Sequence, residues 1–211
     1  MSIVWPCRLA VDEYALMGRA VRVPRPDCPS CLVPAVFWSG YWRFAREQGG
    51  ERKIFIPRVR CPRCGATHAV LPAFALVRRL DAAESAGAVI GQVAAGVSGV
   101  RPAAARIGVP YTTARGWVRR FAARAGELAV SFSALAVELG GEVVRPQPDR
   151  LRSAVAAISA AFTAAAVLPG WAGLGAWRFA AAVTGGSLLA ANASSPWLII
   201  GRRRFLPPRS P

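Results

Sequence analysis

The chain has 211 residues, enough for one good core or two small modules, and a formal net charge of +16 from 27 basic against 11 acidic side chains. Lys53 is the only lysine, so the excess is carried by arginine, whose planar fork suits phosphate and guanine better than an ammonium does. The amino terminus is interrupted by Arg8, Asp12 and Glu13, which excludes the continuous apolar stretch of a secretion signal. Five cysteines in a chain expected to be cytoplasmic favour metal ligation over a disulfide framework.

Richness in Ala, Arg, Gly and Pro also fits a GC-rich coding composition, so the distribution of charge says more than its total. Residues 1–80 carry 13 basic and 5 acidic side chains, residues 81–126 carry 6 and 2, residues 127–149 carry 1 and 4, and residues 150–211 carry 7 and none. One acidic connector thus separates two basic regions.

After an N-terminal segment (1–25), residues 26–78 read as a small β zinc ribbon. Cys28 and Cys31 form one Cys-x-x-Cys pair, Cys61 and Cys64 a second, with 29 residues between them. A two-residue spacer lets both thiolates of a pair point at one ion about 2.3 Å away, and two such knuckles close a tetrahedral shell. A closed shell has no open position for chemistry, so one structural Zn2+ is the expected cofactor. Pro29 and Pro62 stiffen the knuckles, and Gly65 supplies a permissive backbone. Between the pairs, Val36, Phe37, Trp38, Tyr41, Trp42 and Phe44 read as a strand. A turn is expected at Gln48, Gly49 and Gly50, and Ile54, Ile56 and Val59 mark a second strand. Cys7 is left over, as a free or partly buried thiol or as an alternate for one of the four ligands. His68 beside a complete site reads as a packing or phosphate-contacting group rather than a ligand.

Helical spacing begins at Asp81, where Asp81 and Glu84 have the form of a capping box and Ala86, Val89, Ile90, Val93 and Val97 form a stripe. Residues 79–126 then read as a helix-turn-helix domain. Ala104 and Ile107 face a partner, Gly108 makes the tight turn, Val109 is buried, and Ala114 and Trp117 point inward from a second helix. On that helix Thr112, Thr113, Arg115 and Arg119 are expected to face outward, with Arg120 and Arg124 further along to clamp phosphate. Arg101 and Arg106 on the first helix join the candidate contacts to double-stranded DNA. Gly116, inside the recognition helix, has no explanation from sequence.

Residues 127–168 read as a helical connector or dimerisation region. Phe121, Ala125, Leu128, Phe132, Leu135 and Leu139 make a heptad seam that either pairs two protomers as a homodimer or packs within the chain. Leu151, Val155, Ile158 and Phe162 form a matching stripe, which favours an intrachain antiparallel pair. Residues 169–211 read as an Ala/Gly-rich helical region with a basic tail at Arg202, Arg203 and Arg204. The uncharged runs 153–177 and 179–201 have the length to span a bilayer. Their Ala/Gly content, together with Pro169, Gly170, Asn192 and Pro196, disfavours insertion. The fold class expected is therefore α+β, with a zinc ribbon, a mainly α-helical helix-turn-helix domain and an Ala-rich helical remainder.

The order of ribbon, His68 in Cys-Gly-Ala-Thr-His, the segment Leu71, Pro72, Ala73, Phe74, the helix-turn-helix, and Trp177-Arg-Phe followed by Thr184-Gly-Gly-Ser-Leu-Leu-Ala resembles a family of uncharacterised bacterial proteins found with transposable elements. The ribbon is also similar to the amino-terminal one in a class of insertion-sequence transposases. The resemblance covers about residues 26–200 and implies a role in transposition or its control, with a separate transposase as partner. Strand transfer needs three carboxylates holding two metal ions. The acids after the helix-turn-helix are Glu127, Glu138, Glu142 and Asp149, with none beyond, so a non-catalytic, nucleoid-associated DNA-binding protein is expected. The alternatives are an adaptor that bridges a transposase or the transcription machinery through the seam and, more remotely, a membrane-tethered regulator.

Overall fold

The computed structural model describes residues 2–47 and 50–190 and has the expected α+β architecture, with a four-stranded sheet followed by a stack of helices. Two of the three residues of the expected turn, Gln48 and Gly49, and the basic tail with Arg202, Arg203 and Arg204 lie outside the described residues.

The sheet order is β1-β4-β3-β2. The hairpin is long: β2 (Val36–Glu47) and β3 (Gly50–Arg60) pair antiparallel from Val36 opposite Arg60 to Glu47 opposite Gly50, with one irregularity at Trp38. Alternation puts Ile54 and Ile56 on the same face as Ala45, and all three are buried. β4 (Thr67–Pro72) returns antiparallel to β3 after the second knuckle. The N-terminal residues are not a detached segment. β1 (Ser2–Trp5) adds to β4 in parallel, and α1 (Val11–Met17) packs on β3, where the Tyr14 hydroxyl donates to the Phe55 carbonyl at 3.0 Å.

Among the described residues six helices follow: α2 (Ala83–Ala94), α3 (Val100–Ile107), α4 (Tyr111–Ala122), α5 (Ala125–Glu138), α6 (Arg150–Ala165) and α7 (Ala176–Val183). The capping box expected at Asp81 does not form. Ala82 is the N-cap, Asp81 pairs with Arg46, and Glu84 pairs with Arg178. Each carboxylate makes a charge-assisted bond to a guanidinium from a distant element in place of the cap. The stripe ends early as well, because Gly96 turns the chain at φ 71° and leaves Val97 in solvent.

The heptad seam packs inside the chain. Phe121, Ala125, Leu128, Phe132 and Leu135 are buried, and α5 lies along α6. The pair is parallel, not antiparallel. Gly141, whose N–H donates to the Ala136 carbonyl at the end of α5 at 2.8 Å, abuts Ala164 in the last turn of α6, so the two helices end together. Residues 142–149 carry the chain back to Asp149, whose carboxylate caps α6 by accepting from the Arg152 N–H. The wholly buried face of α6 is mostly alanine, Ala154, Ala157, Ala161 and Ala165, rather than the bulkier stripe expected. Small side chains let two helix axes approach closely. No described helix is long and apolar enough to cross a membrane.

Two cores meet along the segment after β4. Ala73 and Leu76 enter the helical core, while Phe74 and Ala75 enter the core between the sheet and α1. Arg178 of α7 bolts the same junction, donating to the Leu9 carbonyl at 2.8 Å, pairing with Glu84 and lying 5.7 Å from the centre of the Phe74 ring. The helical core thus runs from Ala73 to Leu189 across the boundaries read at 126 and 168. Trp177 crosses directly over Gly87 of α2, where an added Cβ would stand 2.1 Å from the indole. Gly87→Ala should therefore lower the stability by about 1–3 kcal/mol in urea unfolding, because the indole must shift from its packing against Phe121. An unchanged midpoint would refute this account of the packing between α2 and α7.

Candidate metal centre and basic cleft

Each knuckle is built by its backbone. The Cys28 carbonyl accepts the Leu32 N–H at 2.9 Å and the Cys61 carbonyl accepts the Gly65 N–H at 3.0 Å. Both turns place the fourth residue after their first cysteine at positive φ, Leu32 at 56° and Gly65 at 72°. The glycine was legible; the leucine was not, because an L residue seldom takes that conformation. Cys28 and Cys61 are buried, Cys31 is half-buried and Cys64 is exposed.

The four sulfurs lie within 4.8 Å of one another, with Cys28 and Cys64 3.9 Å apart. A zinc tetrahedron with bonds of about 2.3 Å has edges of about 3.8 Å, so the set fits one ion. Its electrostatics fit too. The Cys64 and Arg63 N–H groups pull the Cys61 thiol down to about 7, whereas the adjacent Cys64 thiol pushes Cys31 up to about 12. Four clustered thiols resist shared ionisation, and a divalent cation removes that resistance. His68 is buried with Nε2 3.7 Å from Cys28 Sγ, which puts it against a ligand sulfur and not at the surface where phosphate could reach it. Cys7 is no alternate ligand. It is packed in the core between the sheet and α1, where burial pushes its thiol up to about 11.

The second feature begins with α3 and α4. Gly108 adopts the left-handed conformation (φ 73°, ψ 30°) that ends α3, and Pro110 starts α4. Ala104, Ile107, Ala114 and Trp117 are buried between these helices and α2, as the spacing predicts. Val109 is only partly buried, packed against the same core.

A cleft of about 380 Å3 separates α4 from the loop after β4. It is lined by Thr112, Thr113, Arg119 and Arg120 on one side and by Arg78 and Arg79 on the other. Arg115 is exposed on α4 but outside the lining. Arg101 lies 4.7 Å over the Tyr111 ring at the start of α4. Arg106 is held by Gln92 of α2, with Nε donating to Oε1 at 3.1 Å. Arg124 does not face outward. It is buried and donates to the Ser187 carbonyl at 2.9 Å, because a buried guanidinium must find acceptors within the fold. Gly116 lines the cleft, and an added Cβ would stand 2.8 Å from Arg120 Nη1, so the missing side chain makes room for that guanidinium.

Arg78 and Arg79 were not singled out from sequence. Only their adjacency was visible, since their approach to α4 depends on the hairpin. Arg46 of β2 binds Asp81 at 2.7 Å and exchanges backbone hydrogen bonds with residues 80 and 82, while the Arg43 guanidinium donates to the Leu76 and Arg79 carbonyls. This grip holds Arg78 at a φ of 55°, a strained backbone of the kind that collects at functional sites. Burial, and then the positive charge of Arg120, hold the Arg79 guanidinium below its ordinary pKa, against the pull of Asp81. An anion between Arg79 and Arg120 would relieve that repulsion.

A protein-family profile described as "Domain of unknown function (DUF6431)" matches residues 28–106, from the first ligand cysteine to the last turn of α3, which is less than half of the chain. No curated protein and no solved structure matches it.

The purified protein should carry one zinc per chain by elemental analysis. Replacing Cys28 and Cys61 together by Ser should abolish it and unfold the ribbon, since leaving two of four ligands forfeits most of the metal's folding energy. A quadruple Cys→Ser variant melting like the parent would show that no metal holds this fold.

Proposed function

We propose that the chain is a zinc-stabilised helix-turn-helix protein that binds double-stranded DNA and serves a transposable element as a non-catalytic accessory or regulatory factor. The supporting observation is the convergence of Arg119 and Arg120 on α4 with Arg78 and Arg79 on a loop anchored by the ribbon. In this reading Thr112, Arg115 and Arg119, spaced by three and four on one side of α4, enter the major groove. The loop arginines hold the flanking phosphates, Arg101 reinforces the start of α4, and the zinc is structural, fixing the hairpin that carries the loop. Arg106 contributes only if it leaves Gln92.

Two of the four acids after α4 are engaged structurally, Glu127 with Arg124 at 3.6 Å and Asp149 as a helix cap, which supports a role without catalysis. The transposable-element role rests on the resemblance of residues 26–200 and expects a separate transposase as partner. A nucleoid-associated, cytoplasmic location follows from DNA binding. The adaptor alternative relied on the heptad seam, which is spent on the chain's own core.

Arg115→Glu with Arg119→Glu should weaken duplex binding at least about tenfold and flatten its salt dependence, as loss of phosphate and base contacts does. Arg79→Ala should weaken all duplexes evenly. Electrophoretic shift or anisotropy titrations at two salt concentrations measure both. Duplex binding unchanged by the double reversal would remove the reading.

A further inference from the structure

The outer face of the β2–β3 hairpin has a composition that packing does not explain. Trp38 is 59% exposed, Phe37 54%, Phe44 52% and Trp42 41%, all on an edge strand. Scattered apolar residues on a surface need no explanation; four large rings within eight residues do.

The rings are interleaved with cations. Lys53 Nζ stands 5.6 Å from the centre of Trp42, Trp42 meets Phe55 edge-on at 5.3 Å, and the Arg19 guanidinium lies 5.5 Å from Phe55. Arg60 lies 4.9 Å over Trp38 at the strand irregularity, but alternation puts Arg60 on the face of Ile54 and Ile56, so that pair stands apart from the row of Trp42, Phe44, Lys53 and Phe55. Gly40 keeps the row flat: an added Cβ there would stand 2.1 Å from the Phe55 ring, so a side chain at 40 would lift that ring from the strand. Nearby acids are engaged elsewhere, Asp12 with Arg52 at 2.7 Å and Glu51 with Arg46 at 3.7 Å. Among the described residues no carboxylate pairs with Arg19, Lys53 or Arg60.

We infer that this face is a second nucleic-acid site, separate from the proposed duplex reader, and that it takes single-stranded nucleic acid by stacking unpaired bases on Trp42 and Phe44 while Arg19 and Lys53 hold the phosphates. An exposed ring beside a cation matches an unstacked nucleotide, which offers a π face and a negative charge together. A duplex hides its base faces, so α4 and this hairpin would select different forms of the polymer. A second copy of the chain is a poor occupant, because it would bring the same unpaired cations, within a net charge of +16, against themselves.

The test uses the full zinc-loaded chain and a labelled oligothymidylate of about twelve nucleotides, within the roughly 4–16 nucleotides such platforms cover. Anisotropy should report binding that Trp42→Ala with Phe44→Ala weakens about tenfold or more. Lys53→Glu should weaken it and flatten its loss with salt, and duplex binding should be unchanged in both. Arg115→Glu with Arg119→Glu should give the opposite pattern, so failure here is distinguishable from failure of the duplex reading. If the double alanine variant loses its zinc or its circular-dichroism spectrum, Lys53→Glu and Arg19→Glu alone decide the matter. Absence of oligothymidylate binding would overturn the inference. So would binding indifferent to these substitutions, or a ring-dependent association with anionic vesicles or with a second copy in its place.

Discussion

Four sulfurs drawn within 4.8 Å tie the chain just before β2 to the turn after β3, and the remaining geometry descends from that tie. A hairpin of this length has little independent stability. A metal cross-link at its open end would fix its register and with it the aim of Arg43 and Arg46 at the loop that follows β4. That loop then presents Arg78 and Arg79 across a cleft from α4. A metal held by these sulfurs would act at a distance on the basic surface, through the strand pair and two guanidinium contacts.

The sheet and the helices are joined as tightly as either is built. Residues 73–76 send alternate pairs of side chains into two cores, and Arg178 reaches from α7 to the backbone at Leu9 and to Glu84. Burial raises the pKa of Glu84 against the pull of Arg178, as expected of a carboxylate enclosed at a junction. Such a joint limits hinge motion between ribbon and helix-turn-helix, so the two sides of the cleft are held at a set separation. A preorganised site of this kind loses less side-chain freedom when an anion enters.

Arginine is the dominant base here, and its positions sort by surroundings more than by sequence spacing. Arg124 and Arg106 occupy helical positions that read as outward and basic, yet one binds the Ser187 carbonyl and the other Gln92. Arg43 and Arg46, on a strand that read as apolar, carry the loop. A guanidinium offers five donors on a long stem, so whichever acceptors lie within its reach claim it. Those acceptors come from distant segments, which periodicity does not record.

By itself the sequence determined the local chemistry: two thiol pairs at knuckle spacing, a strand pair between them, and two short helices about a glycine that needs positive φ. These rest on contacts within a few residues, where backbone geometry follows from residue type. Only the tertiary structure decided that β1 joins β4, that α5 and α6 run parallel, that the seam is internal, and that Arg78 and Arg79 face α4. Each of those depends on which distant surface fills a given face, and an apolar stripe or a charged run fits several partners equally until the whole chain is packed.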